Sequence, residues 1–444
     1  MSASVTRAIR IGMLGCGVVG QGVLRTLATR RDGLARRLGA PIEVRRVVVR
    51  DLDRDRGEHT PPELLTTDPE SVLGDPEIDV VVEVMGGLDP AGDYVVRALE
   101  AGKSVVTANK FLLAERGSEL FALAEARGVD LAFEAAVCGG IPVIRVLREA
   151  LVSDVILGLR GIVNGTSNYI LSRMRDEKLD FDVALRGAQE AGYAEADPTL
   201  DVNGGDALHK LTILATLAFG ARVLPSQIHQ EGIEHVSAVD MQMAARFGYV
   251  IKLLAVGRAV AEEDGSSALD LRVHPALVPE QSVIASISGA LNAIAIEGES
   301  LGPLMISGYG AGSMPTAMSV VSDIVDVGRN LMMGSRGRVP VVRDDVLARR
   351  AVRDVGRNVG RWYLRFSVQD RPGILARIAG VLGAFDVSIE QMIQEGRASA
   401  AGHPVHVVML THACRDANVR SALREIQILS GITQPTRAIR IEEG

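Results

Sequence analysis

The chain is short of cysteine, of long apolar runs and of surplus positive charge, and each shortage closes off a class of protein. Its three cysteines, Cys16, Cys138 and Cys414, stand far apart. No paired spacing suggests a zinc site or a disulfide framework, and a reducing, cytoplasmic setting fits. No apolar run reaches the ~18 residues that a membrane-spanning helix needs. The opening stretch MSASVTRAIRIGMLGCG lacks the apolar core of a signal peptide. Lys and Arg total 48 against 55 Asp and Glu, a balance that argues against nucleic acid as a partner, because phosphate binding wants a basic face. The arginines crowd near residues 30–50 and 345–361, which reads as two solvated faces.

What the chain does have is apolar residues, 47% of 444, enough for two or three domains with a core in each. IRIGMLGCGVVGQGVLRTLATRR reads as strand, glycine turn and helix, with the strand at Ile9 to Leu14 and apolar positions at helical spacing from Val18 to Leu27. IEVRRVVVR (42–50), IDVVVEVMGG (78–87), KSVVTANK (103–110) and VDLAFEAAVCGG (129–140) read as further strands. AGDYVVRALEAG and LLAERGSELFALAEARG read as helices between them. Strands alternating with helices predict an α/β, Rossmann-type doubly wound parallel sheet over residues 1–140, completed by a helix near 315–330. Residues 141–320 mix helices and strands irregularly, an α+β domain. Residues 334–360 are charged and read as a linker. Residues 361–444 follow the order βαββαβ of a ferredoxin-like unit.

GCGVVG (15–20) fits G-x-G-x-x-G after a strand and at the head of a helix, the context that gives the pattern meaning. Gly15 allows the tight turn, Gly17 lets backbone approach a pyrophosphate, and Gly20 lets helix pack on strand; Val18 and Val19 open the helix whose N-terminus favours the anion. At the end of the second strand, an acid would hold a ribose 2′-hydroxyl and an arginine a 2′-phosphate. Arg50 stands there, followed by Asp51, Asp53, Arg54 and Arg56, which favours NADP and leaves NAD open. This point lies ~30 residues past the glycines rather than ~20, so the first helix or its loop is extended. TANK (107–110) puts Asn109 and Lys110 outside the C-terminal end of a strand, where such sheets bind ligands. A loop lysine in water is the equal alternative.

In YAEADPTLDVNGGDALHK (193–210), Glu195, Asp197, Asp201 and Asp206 precede Lys210 and the apolar run LTILATLAFG. If a helix starts near Gly205, Asp206 and Lys210 share a face. A buried ammonium needs a partner, and desolvation brings its pKa toward the range useful for proton transfer. Glu195 and Asp201 are further acids suited to a substrate amine in the same pocket. A buried structural ion pair is the competing reading.

Together these stretches resemble the homoserine dehydrogenases over essentially the whole chain. AGYAEADPTLDVNGGDALHK, GIVNGTSNYIL (161–171), GCGVVG, TANK and YGAGSMPTA carry the resemblance. It implies NAD(P)-dependent interconversion of L-homoserine and L-aspartate 4-semialdehyde, in the synthesis of threonine, methionine and isoleucine. It implies that Lys210 is the proton donor and acceptor, with Asp206 beside it. Glu195, Asp201, Asp206, Gly192 and Lys110 would bind substrate. Gly15, Gly17, Val18, Val19, Gly20, Arg50, Lys110 and Gly312 would contact the cofactor. A monovalent cation, usually sodium, would sit on Glu134, Val137, Gly139 and Ile141, largely through backbone carbonyls. Residues 141–320 would be the substrate and dimerisation domain of a homodimer or homotetramer.

The C-terminal unit resembles an ACT domain, with QDRPGILARIAGVL (369–382) as its first strand-to-helix turn and L-threonine as the implied effector. A module that only dimerises is the alternative there. Two rivals follow for the whole chain. A sensor without catalysis would lack the lysine or the acids, and a dehydrogenase of another hydroxy acid would lack the acids for an ammonium. A fusion to an aspartate kinase is not expected, since nothing precedes the glycine turn.

Overall fold

The computed structural model describes residues 7–262, 264–339, 350–395 and 405–443. They form two compact units, one from residues 1–157, 209–227 and 294–350, the other from 158–208, 228–293 and 351–444.

The first unit is built on β1 (Ile9–Leu14), β2 (Ile42–Val48), β3 (Leu65–Thr66), β4 (Val80–Glu83), β5 (Ser104–Thr107) and β6 (Leu131–Ala132). They lie in the order β3-β2-β1-β4-β5-β6 and every neighbouring pair is parallel. β4 and β5 are buried at every position, as a sheet covered on both faces requires. The strand order reverses between β1 and β4, the switch point at which such sheets bind nucleotides. Helix Val18–Thr29 packs against helix Ser313–Met332, and Ile11, Met13, Val23, Leu24, Val320 and Ile324 share one core. Helix Ser313–Met332 thus lies in the same layer as helix Val18–Thr29. A second helix, Arg31–Leu38, follows the first and ends at Gly39 in the left-handed conformation (φ 89°). It accounts for the long spacing from the glycine turn to Arg50.

The strand expected over 129–140 shrinks to Leu131 and Ala132. The backbone N–H of Glu134 goes to Asp323 Oδ2 at 2.8 Å instead of to a strand partner, and the chain turns through a 3₁₀ helix at Glu134–Ala136. β2, β4 and β5 are also shorter than expected, because the residues after each leave the sheet at its C-terminal edge.

The remaining strands are β7 (Ile156–Ile162), β8 (His229–Gln230), β9 (Tyr249–Ala261), β10 (Ser267–Pro279), β11 (Leu291–Gly298), β12 (Gly302–Tyr309), β13 (Ala351–Val352), β14 (Val359–Val368), β15 (Ile389–Glu395), β16 (Val405–Thr411), β17 (Cys414–Arg415) and β18 (Arg437–Ile441). In the second unit the sheet runs β7-β9-β10-β18-β14-β16-β15. β14, helix Ile374–Ala384, β15, β16, helix Asp416–Gln427 and β18 give the expected βαββαβ order over a core of Trp362, Leu364, Phe366, Ile378, Leu382 and Ile426.

This C-terminal module is not a bead on a string. β18 pairs in parallel with β10, Ala276 opposite Arg440 and Leu277 opposite Ile441, so its sheet continues that of β9 and β10. Of the expected linker 334–360, residues 340–349 lie outside the described residues. Its later part is β13, laid in parallel on β10 at Ala268 and Leu269. Among the described residues no helix is long and apolar enough to cross a membrane.

Candidate active site

In the first unit, the chain leaves β1 through Gly15, whose φ of 99° is strained for any side chain and whose added Cβ would stand 2.9 Å from Val84 O. Gly20 packs its α-carbon against Gly15 O, while Gly17 faces open space. Val18 is 66% exposed at the helix N-terminus. Gly312 (φ 116°) heads helix Ser313–Met332, and Ser313 Oγ donates to Val18 O at 2.9 Å. Two helix N-termini therefore meet at one glycine turn, a donor set and a cleared surface that fit the pyrophosphate of a dinucleotide. Arg50 is exposed just past β2. Arg56 is buried and folds back onto Asp51 O and Arg54 O, at 2.6 and 2.8 Å.

Sequence reasoning passed over Glu83. It ends β4 fully buried, accepts the N–H groups of Met85 and Gly86 on Oε1 (2.8 and 3.1 Å), and accepts Thr107 Oγ1 on Oε2 at 2.6 Å. An acid closing an otherwise apolar strand was the available signal. Asn109 is buried, caps the next helix by accepting from Leu112 N, and donates to Gly87 O at 2.7 Å. The loops after β4 and β5 are thus tied together, and half-buried Lys110 is the first residue of the helix they support. The Phe111 ring lies 4.9 Å from that of His209, which brings this sheet edge to the neighbour of Lys210.

Also in the first unit, Cys138 and Gly139 both take left-handed conformations (φ 53° and 38°). Gly139 O accepts Ser319 Oγ at 2.6 Å, and Ile141 N donates to Cys138 O at 2.8 Å. Buried Glu134 accepts the N–H groups of Ile144 and Arg145 at 2.8 and 3.0 Å. Burial, and then the neighbouring Asp323, push its carboxyl up to about 7. Among the described residues no group of three or more His, Cys, Asp and Glu could hold a metal ion.

In the second unit, the acidic run folds around the N-terminus of helix Gly165–Asp176. Thr166 Oγ1 donates to Tyr193 O at 2.7 Å, and Ser167 Oγ donates to Asp201 O at 2.6 Å. Asn164 Nδ2 donates to Asp201 Oδ1 at 2.7 Å and to Asp206 Oδ2 at 2.9 Å. Asp206 is buried and Asp201 half-buried, whereas Glu195 and Gly192 (φ 76°) are exposed. The acids expected together are therefore of two kinds, a bridged pair and a surface carboxylate. Asp197 is local, capping Thr199 through its N–H and hydroxyl at 3.1 and 2.6 Å. Asn203 Oδ1 accepts Gly205 N at 2.8 Å and starts helix Gly205–Phe219. On that helix Asp206 and Lys210 stand one turn apart, both 7% exposed.

Comparison with known proteins agrees with this geometry. Residues 142–325 match the family described as "Homoserine dehydrogenase", residues 15–134 "Homoserine dehydrogenase, NAD binding domain", and residues 362–431 "ACT domain". A homoserine dehydrogenase of Mycobacterium leprae is 42% identical over 436 residues, covering 97% of this chain and 98% of that protein. The crystal structure of a homoserine dehydrogenase from Thiobacillus denitrificans is 43% identical and superposes with a TM-score of 0.91 over 98% of this chain and 99% of the other. A hyperthermophilic archaeal homoserine dehydrogenase in complex with NADPH is 27% identical, with a TM-score of 0.61 over 72% of this chain and 98% of its own.

Proposed function

The chain belongs to the homoserine dehydrogenase family, and from that premise we propose that it interconverts L-homoserine and L-aspartate 4-semialdehyde with NADP(H) in preference to NAD(H). The observation that carries this reading is the buried pair Asp206 and Lys210, one turn apart on a helix whose following residues are apolar. Nicotinamide, when bound, supplies the hydride chemistry. Lys210 takes the proton of the substrate hydroxyl on oxidation and returns it to the carbonyl oxygen on reduction. Asp206 orients the lysine or the substrate. Asp201, with Glu195 at the rim, receives the substrate ammonium, and Gly192 and Lys110 complete the contacts. Gly15, Gly17, Val18, Val19, Gly20 and Gly312 hold the pyrophosphate, and Arg50 the 2′-phosphate. Glu134, Val137, Gly139 and Ile141 would hold a sodium ion, largely through backbone carbonyls.

On this reading residues 1–140 with the helix near 315–330 bind nucleotide, 141–320 bind substrate and pair subunits in a homodimer or homotetramer, and the ACT module at 361–444 binds threonine as feedback inhibitor. The enzyme works in the cytoplasm in threonine, methionine and isoleucine synthesis. The test is purified protein with L-homoserine, following reduced-cofactor absorbance with NADP+ and then NAD+, each with and without threonine. Turnover suppressed by threonine is the expected result. No turnover with either cofactor would make the acidic run an amino-acid receptor without chemistry.

A further inference from the structure

Asn164 stands in GIVNGTSNYIL, where the reaction proposed above gives it no part. It is 5% exposed and both polar atoms of its side chain are engaged. Its Oδ1 accepts the N–H of Ser167 at 2.7 Å as the N-cap of helix Gly165–Asp176. That bond fixes which end of the amide is which: the oxygen faces a donor, so the NH2 faces the two carboxylates. One N–H goes to Asp201 and the other to Asp206, residues 37 and 42 further along the chain. Two neighbouring carboxylates repel, and one ordinarily takes up a proton. A neutral double donor between them ties both carboxyl groups to one side chain and brings no charge of its own.

We propose that Asn164 is a positioning residue for the amino-acid substrate: its carboxamide aligns Asp201 and Asp206 as an anionic pair that receives the substrate ammonium. The inference rests on the homoserine reading above. The competing role is a helix cap and nothing more. Asn164→Ser and Asn164→Asp separate the two, because serine and aspartate cap helices about as well as asparagine. Serine cannot reach both acids, and aspartate sets a third carboxylate oxygen against them.

Both variants should raise KM for homoserine by about tenfold or more, the cost of losing a charge-assisted hydrogen bond. KM for the nucleotide should stay near the wild-type value in both variants, and the thermal midpoint near it in Asn164→Ser, the variant that adds no charge. Variants with an unchanged KM for homoserine would overturn the proposal. So would a parallel rise in both KM values with a fallen thermal midpoint, which is the mark of general structural damage. Wild-type turnover is the control: its absence overturns the reaction and this inference with it, whereas wild-type turnover together with an unchanged KM for homoserine in both variants overturns the inference alone.

Discussion

Arg440 Nη1 lies 2.9 Å from Glu231 Oε1, and this contact joins the last strand of the C-terminal module to the residue that follows β8. On the module side, Arg440 holds Asp416 Oδ2 at 3.0 Å and stacks 4.5 Å from the Trp362 ring. On the other side, Glu231 is anchored by its N–H to Val273 O at 2.7 Å. Its neighbour Gln230 donates to Asn203 O at 2.7 Å, and Asn203 caps Gly205. Burial alone would raise the Glu231 carboxyl, but His229 and Arg440 outweigh it and hold the group well below the usual carboxylate range. The contact is therefore an ion pair at working pH.

A change of packing in the module can reach helix Gly205–Phe219 through these bonds, and coupling between sites is carried by such contiguous contacts. Glu231→Gln keeps the shape and removes the charge. Threonine should inhibit this variant several-fold more weakly, with turnover in its absence retained. An inhibition curve superimposable on that of the wild type would mean that effector binding is transmitted elsewhere.

Lys210→Met fills the same buried space without a proton to give. General acid–base catalysis is worth about 10²–10⁴-fold, and kcat should fall by that order in both directions. Titration with NADPH should show nucleotide binding unchanged, since the glycine turn is untouched. Near-normal kcat would remove Lys210 from the reaction.

How much of this was legible in the chain depended on the range of the interaction. VVVE and SVVT announced strands buried on both faces, and the long gap before Arg50 announced an extended first helix or loop, which the structure resolves as a second helix, Arg31–Leu38. The N-terminus of helix Gly205–Phe219 was readable because its signals are local glycines followed by an apolar run. VDLAFEAAVCGG misled because what ends the strand is Asp323, 189 residues away, which takes the Glu134 N–H. The parallel docking of β13 and β18 on β10 left no local trace either, since strand periodicity says which residues alternate and not which strand they meet. The double donation by Asn164 was hidden for the same reason: the motif was visible and its partners were not.

Arg50 and Arg56 have separable roles. Arg56 spends its guanidinium on Asp51 O and Arg54 O, and of the exposed pair Arg50 and Arg54 the proposal gives the 2′-phosphate to Arg50. Arg50→Ala should raise KM for NADP+ by about tenfold, the loss of one charge-assisted contact, and leave KM for NAD+ unchanged. An unchanged ratio of the two would assign the phosphate to Arg54.

Lys252 gives a prediction about stability and pH. It is 1% exposed on β9, and its Nζ donates to Asn168 Oδ1 at 3.2 Å and Ile287 O at 2.5 Å, neither of them charged. Burial, reinforced by Arg175 and opposed by Asp176, pushes its ammonium down from 10.5 to about 8. An amine with a depressed folded pKa binds fewer protons folded than unfolded between these two values, so unfolding free energy rises with pH across that window. Below it the folded state carries the full cost of the buried charge, roughly 3 kcal/mol from the size of the shift. Lys252→Met has no proton to lose, and the difference in stability between the two proteins cancels every other titrating group. Denaturant midpoints of both at about pH 7 and about pH 10 should show the wild type gaining on the variant by up to ~3 kcal/mol. A difference that stays constant over that range would mean that Lys252 titrates as it does in the unfolded chain, and that its two carbonyl partners stabilise the ammonium as well as water does.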